Sequence, residues 1–187
     1  SSIVSASATQ WTGLDQPVGV AIGDYNNDGL NEIAFTEAAA GNVFVYKSDG
    51  VTIIKQWIGL NYPHYVAIGD YNNDGLNDIA FSETGAGNVF VYKSDGITVI
   101  KQWTGLNGSC GVAIGDYNND DLNDIALTES LAGRVTVYKS DGVTVIKQWT
   151  DLYSPIAVAI GDYDNDGLND IAIVENAYGR NMVIVYK

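Results

Sequence analysis

Short apolar runs alternate with polar turns along the whole chain, and nowhere do apolar residues recur at the 3.6-residue spacing of a helix. The second quarter shows the pattern most clearly. Tyr65 to Asp70 predicts a first strand, a polar loop follows, and Ile79 to Glu83 predicts a second strand. Thr84-Gly-Ala-Gly87 reads as a turn. Asn88-Val-Phe-Val-Tyr-Lys93 alternates with period two and predicts a third strand with one buried face. Ser94-Asp-Gly96 supplies a tight turn, with glycine where a positive φ is wanted, into a fourth strand from Ile97 to Trp103. Leu106 to Gly111 links this unit to the next.

The unit occurs four times. Its polar loops begin at Ile22, Ile68, Ile114 and Ile160, and the aspartates Asp24, Asp70, Asp116 and Asp162 fall 46 residues apart. A period of that size means a repeat architecture, and four short antiparallel strands per period predict the blades of a β-propeller. Residues 1–187 read as one all-β propeller domain, with repeats at about 18–57, 64–103, 110–149 and 156–187. Trp11 aligns with Trp57, Trp103 and Trp149, so Ser1 to Trp11 reads as a fourth strand without its first three. Asn181 to Lys187 reads as a third strand without its fourth. The N-terminal strand is therefore expected to complete the last repeat and close a four-bladed ring. Half of an eight-bladed ring made by two chains is the alternative, and strand donation without closure would make a filament.

Oxygen-bearing side chains recur in each loop at positions 1, 3, 5 and 9, with the peptide oxygen of position 7 between them. The four sets are Asp24, Asn26, Asp28, Leu30 and Glu32; Asp70, Asn72, Asp74, Leu76 and Asp78; Asp116, Asn118, Asp120, Leu122 and Asp124; Asp162, Asp164, Asp166, Leu168 and Asp170. Alternate positions of a tight loop can aim their oxygens at one centre, and an all-oxygen set without Cys or His suits calcium better than zinc or copper. One calcium ion per repeat, about four in all, is the expected cofactor. Asx-rich turns that hold no ion are the competing reading. Charge weighs against it, because 14 of the 23 acidic residues lie in these loops and the other nine match the nine Lys and Arg. Crowded carboxylates are costly without a cation. An EF-hand is excluded by Phe35, Phe81, Leu127 and Ile173, which stand where its bidentate Glu belongs, and by flanks that predict strands.

The loop I-G-D-x-[ND]-x-D-[GD]-L-x-[DE]-I-A followed by A-G-N-V-x-V-Y resembles the FG-GAP and VCBS repeats, the calcium-binding blades of integrin α-chain propellers, of several lectins and of many secreted bacterial proteins. The resemblance covers all four repeats. It implies a secreted, extracellular propeller with calcium between the first and second strands of each blade, held by the positions named above. Glu32 departs from Asp at position 9. Asp121 departs from Gly at position 6, and its loop is expected to be the weakest.

The strand order predicts calcium loops and Ser-Asp-Gly turns on one face, and linkers with the second-to-third-strand turns on the other. The first face is nearly invariant. The linkers diverge: Asp15-Gln-Pro-Val18, Asn61-Tyr-Pro-His64, Asn107-Gly-Ser-Cys110 and Tyr153-Ser-Pro-Ile156. Divergent loops on a repeating scaffold are where a ligand is expected, and Tyr62, His64, Tyr153, Tyr178 and Arg180 are the candidates. The expected role is non-catalytic binding or adhesion to a carbohydrate or protein. Self-association through Ser1 to Trp11, making a ring or an extracellular filament, is the alternative. A polysaccharide-active enzyme finds little support, since the carboxylates are accounted for as ligands and no His-centred group is present. The net charge of −14 argues against nucleic acid, and no apolar run is long enough for a membrane span. Trp57, Trp103 and Trp149 recur at one place in the outer strand, which favours packing between blades over sugar stacking. Glu37, Glu83, Glu129 and Glu175 read either as an axial carboxylate ring or as acceptors for a neighbouring turn.

Overall fold

The computed structural model describes residues 9–108, 110–177 and 179–187, and those residues are all β, without a helix. Blade one contains β1 (Pro17–Gly23), β2 (Glu32–Glu37), β3 (Asn42–Tyr46) and β4 (Ile53–Trp57). Blade two contains β5 (Pro63–Gly69), β6 (Asp78–Glu83), β7 (Asn88–Tyr92) and β8 (Val99–Trp103). Blade three contains β9 (Val112–Gly115), β10 (Asp124–Glu129), β11 (Arg134–Tyr138) and β12 (Val145–Trp149). Blade four contains β13 (Pro155–Gly161), β14 (Asp170–Ala177) and β15 (Arg180–Tyr186). Each sheet is an antiparallel meander in chain order, and the four sheets follow one another as the blades of a β-propeller. The fourth sheet has three strands among the described residues. The strand expected to complete it lies mostly in residues 1–8, outside the described residues.

Outer strands start later than the apolar pattern predicts, and the turn before them is the reason. The Asp95 carboxylate accepts the amides of Ile97 (2.7 Å) and Thr98 (2.8 Å) and the Thr98 hydroxyl (2.7 Å), so both residues belong to the turn and β8 begins at Val99. Asp49 and Asp141 repeat this before β4 and β12. These donors hold all three carboxyls down at about 2. In blade four the two extra residues extend the hairpin, which pairs out to Ala177 opposite Arg180.

The core lies at the three seams between successive blades. Between blades one and two, Tyr25, Ala34, Val43 and Val45 meet Val66, Ile79 and Phe81, with Ile68 packed against them. The sheets approach closely because the first strand of each blade ends in glycine. A Cβ on Gly23 would lie 2.7 Å from Ile68 Cγ2, one on Gly69 3.0 Å from Ile114 Cγ2, and one on Gly115 3.1 Å from Ile160 Cγ2. Outer-strand tryptophans lean across the same seams: Trp57 meets Phe81 (5.2 Å between centroids) and Tyr92 (5.4 Å), Trp103 meets Tyr138 (5.7 Å) and Trp149 meets Tyr186 (5.2 Å). The packing role expected of these tryptophans is therefore observed.

At the linker end, Gln16, Tyr62 and Ser154 adopt left-handed φ of 52°, 53° and 50°, and Gly108 takes the same place at 94°. That conformation aims the carbonyls of Gln16, Tyr62 and Ser154 at the amides of Ala38 (2.9 Å), Thr84 (3.0 Å) and Asn176 (3.1 Å). Linkers and second-to-third-strand turns thus share one end of the molecule, as the strand order predicted. An L side chain pays about 1 kcal/mol for left-handed backbone. Tyr62→Gly is expected to raise unfolding free energy in urea by about 1 kcal/mol. Gly108→Ala is expected to lower it, since the new Cβ meets Ser130 Oγ at 2.3 Å and the Leu131 amide at 2.7 Å.

Candidate functional site

All four polar loops have one conformation, built by their own aspartates. The position-1 carboxylate accepts the amides of positions 5 and 6. Asp24 takes those of Asp28 (3.0 Å) and Gly29 (2.9 Å), and Asp70 those of Asp74 (3.0 Å) and Gly75 (2.8 Å). Asp116 takes those of Asp120 (3.0 Å) and Asp121 (2.8 Å), and Asp162 those of Asp166 (3.1 Å) and Gly167 (3.0 Å). The position-5 carboxylate then accepts the amide at position 7: Leu30 to Asp28, Leu76 to Asp74, Leu122 to Asp120 and Leu168 to Asp166. Asp121 supplies the φ of 64° that glycine supplies elsewhere, and its loop keeps the shared shape.

Position 9 opens the second strand and is buried in every blade, as Glu32, Asp78, Asp124 and Asp170. Each turns back into its loop. Glu32 accepts the Asn26 amide (3.2 Å), so its longer arm reaches the place that Asp78 takes on the Asn72 amide (3.3 Å). Asp124 accepts from Tyr117 (3.1 Å) and Asp170 from Tyr163 (3.0 Å). In the fourth loop Asp162, Asp164 and Asp166 each offer a carboxylate oxygen, all within 4.8 Å of one another. Burial, with the like charges of Asp74 and Asp70 after it, pushes Asp78 up to about 6; burial, with Asp120 and Asp116, does the same to Asp124. The residues that could hold a cation are therefore those at positions 1, 3, 5 and 9, an anionic and all-oxygen set.

Two features of these loops escaped the sequence reading. A lysine just after each third strand extends its ammonium to the loop: Lys47 to Asp28 (4.0 Å), Lys93 to Asp74 (3.3 Å), Lys139 to Asp120 (3.3 Å) and Lys187 to Asp164. These lysines offset part of the charge that the count of residues had left wholly to the loops. The pairs are exposed to solvent, which screens them, so each adds little to stability. The second feature is a bridge between loops. The Asn27 side-chain oxygen accepts the Asn77 amide (2.9 Å), while Asn77 Nδ2 donates to the Asp24 carbonyl (2.8 Å). Asn73 with Asn123 and Asn119 with Asn169 repeat the bridge at the next two seams. The signal was present in the repeat, since Asn stands at positions 4 and 8 of every copy.

Three of the loop tyrosines, Tyr25, Tyr71 and Tyr117, belong to the seams. Tyr25 and Tyr71 are buried, and burial raises their phenols well above the usual range. Three of the recurrent glutamates are structural acceptors. Glu37 takes the Asp15 amide and Asn42 Nδ2, Glu83 the Asn61 amide and Asn88 Nδ2, and Glu129 the Asn107 amide and the Arg134 guanidinium. Cys110 is buried, as expected, and burial pushes its thiol up to about 12.

Among the linker candidates, Tyr62 and Tyr153 are exposed on linkers separated by two whole blades. Tyr153 borders a shallow depression of about 510 Å³ with Leu131, Asp151, Leu152, Ser154 and Ala177. His64 is half-buried in β5, where its carbonyl accepts the Thr36 hydroxyl (2.9 Å) and burial lowers its imidazole pKa. Tyr178 lies outside the described residues; Arg180 opens β15 and its side chain also lies outside them.

Repeating four-stranded blades joined at glycine seams define a β-propeller, and comparison with known proteins names its kind. The FG-GAP-like repeat matches residues 24–81 and again 70–127, and the chain belongs to that family. No curated protein matches the sequence. Among solved structures, BBS1N in complex with ARL6DN, soaked with lead, superposes with a TM-score of 0.62 at 14% identity, over 89% of this chain and 52% of that one. The same complex soaked with mercury gives 0.64 at 12% identity, over 89% and 50%. The Dos1 propeller gives 0.60 at 11% identity, over 92% and 46%. The chain spans about half the length of these structures, and the likeness is one of fold. No helix among the described residues is long and apolar enough to cross a membrane.

The raised carboxyls set a pH dependence. In the metal-free fold Asp78 and Asp124 bind protons more tightly than in the unfolded chain, so their penalty is full above about 6 and relieved as pH falls towards 3.8. The melting temperature in chelator is expected to rise between pH 7.5 and pH 5, and Asp78→Asn should flatten that rise. Circular dichroism melts across this range provide the check.

Proposed function

We propose that this chain is a non-catalytic, calcium-braced propeller that acts outside the cell and binds a partner through its linker face. The observation that carries the reading is the convergence of three carboxylate oxygens in the fourth loop, whose hydrogen-bonded conformation the other three loops share, at the end opposite the divergent linkers. Calcium would be held by Asp24, Asn26, Asp28 and Glu32, with the Leu30 peptide oxygen, and by the matching positions of the other three loops. Bound there, the ion neutralises carboxylates that otherwise repel one another and ties the loop to the second strand. Loops of this openness suit millimolar extracellular calcium.

A protein is the favoured ligand. Leu131 and Tyr153 stand exposed at the rim of the depression between blades three and four, a small apolar patch of the kind that protein contacts cover. The related fold of BBS1N is seen in complex with a protein, ARL6DN. The exposed Tyr153 ring also keeps a carbohydrate in view, since a sugar stacks on such a face.

Calorimetric titration of chelator-stripped protein with calcium is expected to find one ion per blade and a higher melting temperature, with magnesium a poor substitute. Asp74→Asn should remove the second site and leave the others. No heat and an unchanged melt would end the calcium reading. For the linker face, Leu131→Ser with Tyr153→Ala is expected to weaken any partner or glycan recovered by array screening at least tenfold, without altering calcium uptake. Unchanged binding by that variant would move the site elsewhere.

A further inference from the structure

Each internal seam is made of two half-surfaces, and among the described residues one copy of each lacks its match. On the trailing side of blades one to three, a first-strand glycine, the loop tyrosine and the apolar residues of the second and third strands form a hollow that the next blade's isoleucine fills. Blade four has the same hollow, lined by Ala159, Gly161, Tyr163, Ala172 and Val185, with a volume of about 270 Å³. A Cβ on Gly161 would meet nothing within 4 Å, unlike its counterparts Gly23, Gly69 and Gly115. Val183 is 66% exposed where Val43, Val89 and Val135 are fully buried, and Tyr163 is 69% exposed where Tyr71 is buried.

Blade one carries the other half. Ile22, the counterpart of Ile68, Ile114 and Ile160, is 70% exposed, and Val20 stands beside it at 64%. The polar bridge is split in the same way: Asn31 repeats Asn77 at the leading face and Asn165 repeats Asn119 at the trailing face, and both are exposed. Blades pack in succession, β1 on β5, β5 on β9 and β9 on β13, and no comparable packing joins blade four to blade one among the described residues.

Residues 9–11 add an independent observation. Trp11 rests on Phe35 (5.7 Å) and Tyr46 (5.5 Å), just as Trp57 rests on Phe81 and Tyr92 across a seam. Thr9 lies against Gly50, where the repeat places Lys55 against Gly96 and Lys101 against Gly142. The segment therefore already sits on the leading face of blade one as the outer strand of a preceding blade would.

We infer that the preceding blade is blade four of a second copy: two chains join head to tail at two identical junctions and close an eight-bladed ring. Ile22 of one copy fills the Gly161 hollow of the other, Asn31 bridges to Asn165 and to the Asp162 carbonyl, and residues 9–11 run beside β15. Trp11 then faces Val183, as Trp57 faces Val43, Trp103 faces Val89 and Trp149 faces Val135.

Light scattering on residues 1–187 in millimolar calcium tests this. The expected mass is twice the 20.0 kDa of one chain, independent of concentration once formed. Gly161→Glu places its side chain in open space within one chain but in the path of Ile22 across the junction. It should reduce the mass to one chain and leave the β-sheet circular dichroism spectrum unchanged, and Ile22→Glu should do the same from the other side. A wild-type mass of one chain, a two-chain mass that survives Gly161→Glu, or a mass that grows without limit with concentration would each overturn the closed two-copy ring.

Discussion

An isoleucine from each blade occupies the space that a side chain on the preceding blade's glycine would need, and the rest of the molecule is arranged around that approach. Without a Cβ on Gly23, Gly69 or Gly115, two twisted sheets come close enough for their apolar faces to interlock. The fully buried valines of the third strands, the buried Tyr25 and Tyr71, and the tilted tryptophans all depend on that spacing. A larger residue at any of the three glycines would part the sheets and expose a seam's worth of apolar surface.

The polar loops are joined to the seam through their asparagines. Asn27, Asn73 and Asn119 adopt left-handed φ within their own loops and thereby present their side-chain oxygens to the loop of the next blade. A loop shaped by its aspartates thus also sets the register of its neighbour. Position 9 works in the other direction, because its carboxylate opens a buried strand while accepting a loop amide. Loop geometry and blade stacking are consequently one cooperative structure, and a cation neutralising the loops would stiffen both.

Much of this was legible in the chain. The 46-residue period, the four strands per unit, the loop positions and the division into two faces all follow from local pattern, and the structure carries them. Three things were misread or missed. The outer strands begin two residues late, since Asp49, Asp95 and Asp141 draw the following residues into their turns. The lysines that follow the third strands pair with the loops and not with distant acids. The asparagine bridges join residues 50 and 53 positions apart, beyond the reach of any local rule, although their recurrence in every copy was visible.

Local pattern set the repeat, the strand order and the shape of each loop, because alternation, turn residues and Asx capping act over a few neighbouring positions. Contacts between sheets settled which glycine faces which isoleucine, that Tyr25 and Tyr71 are core residues, and that Ile22 and Gly161 have no such counterpart among the described residues. Those outcomes depend on how one sheet lies against another, and a single side chain has the same identity whether a neighbouring blade covers it or not.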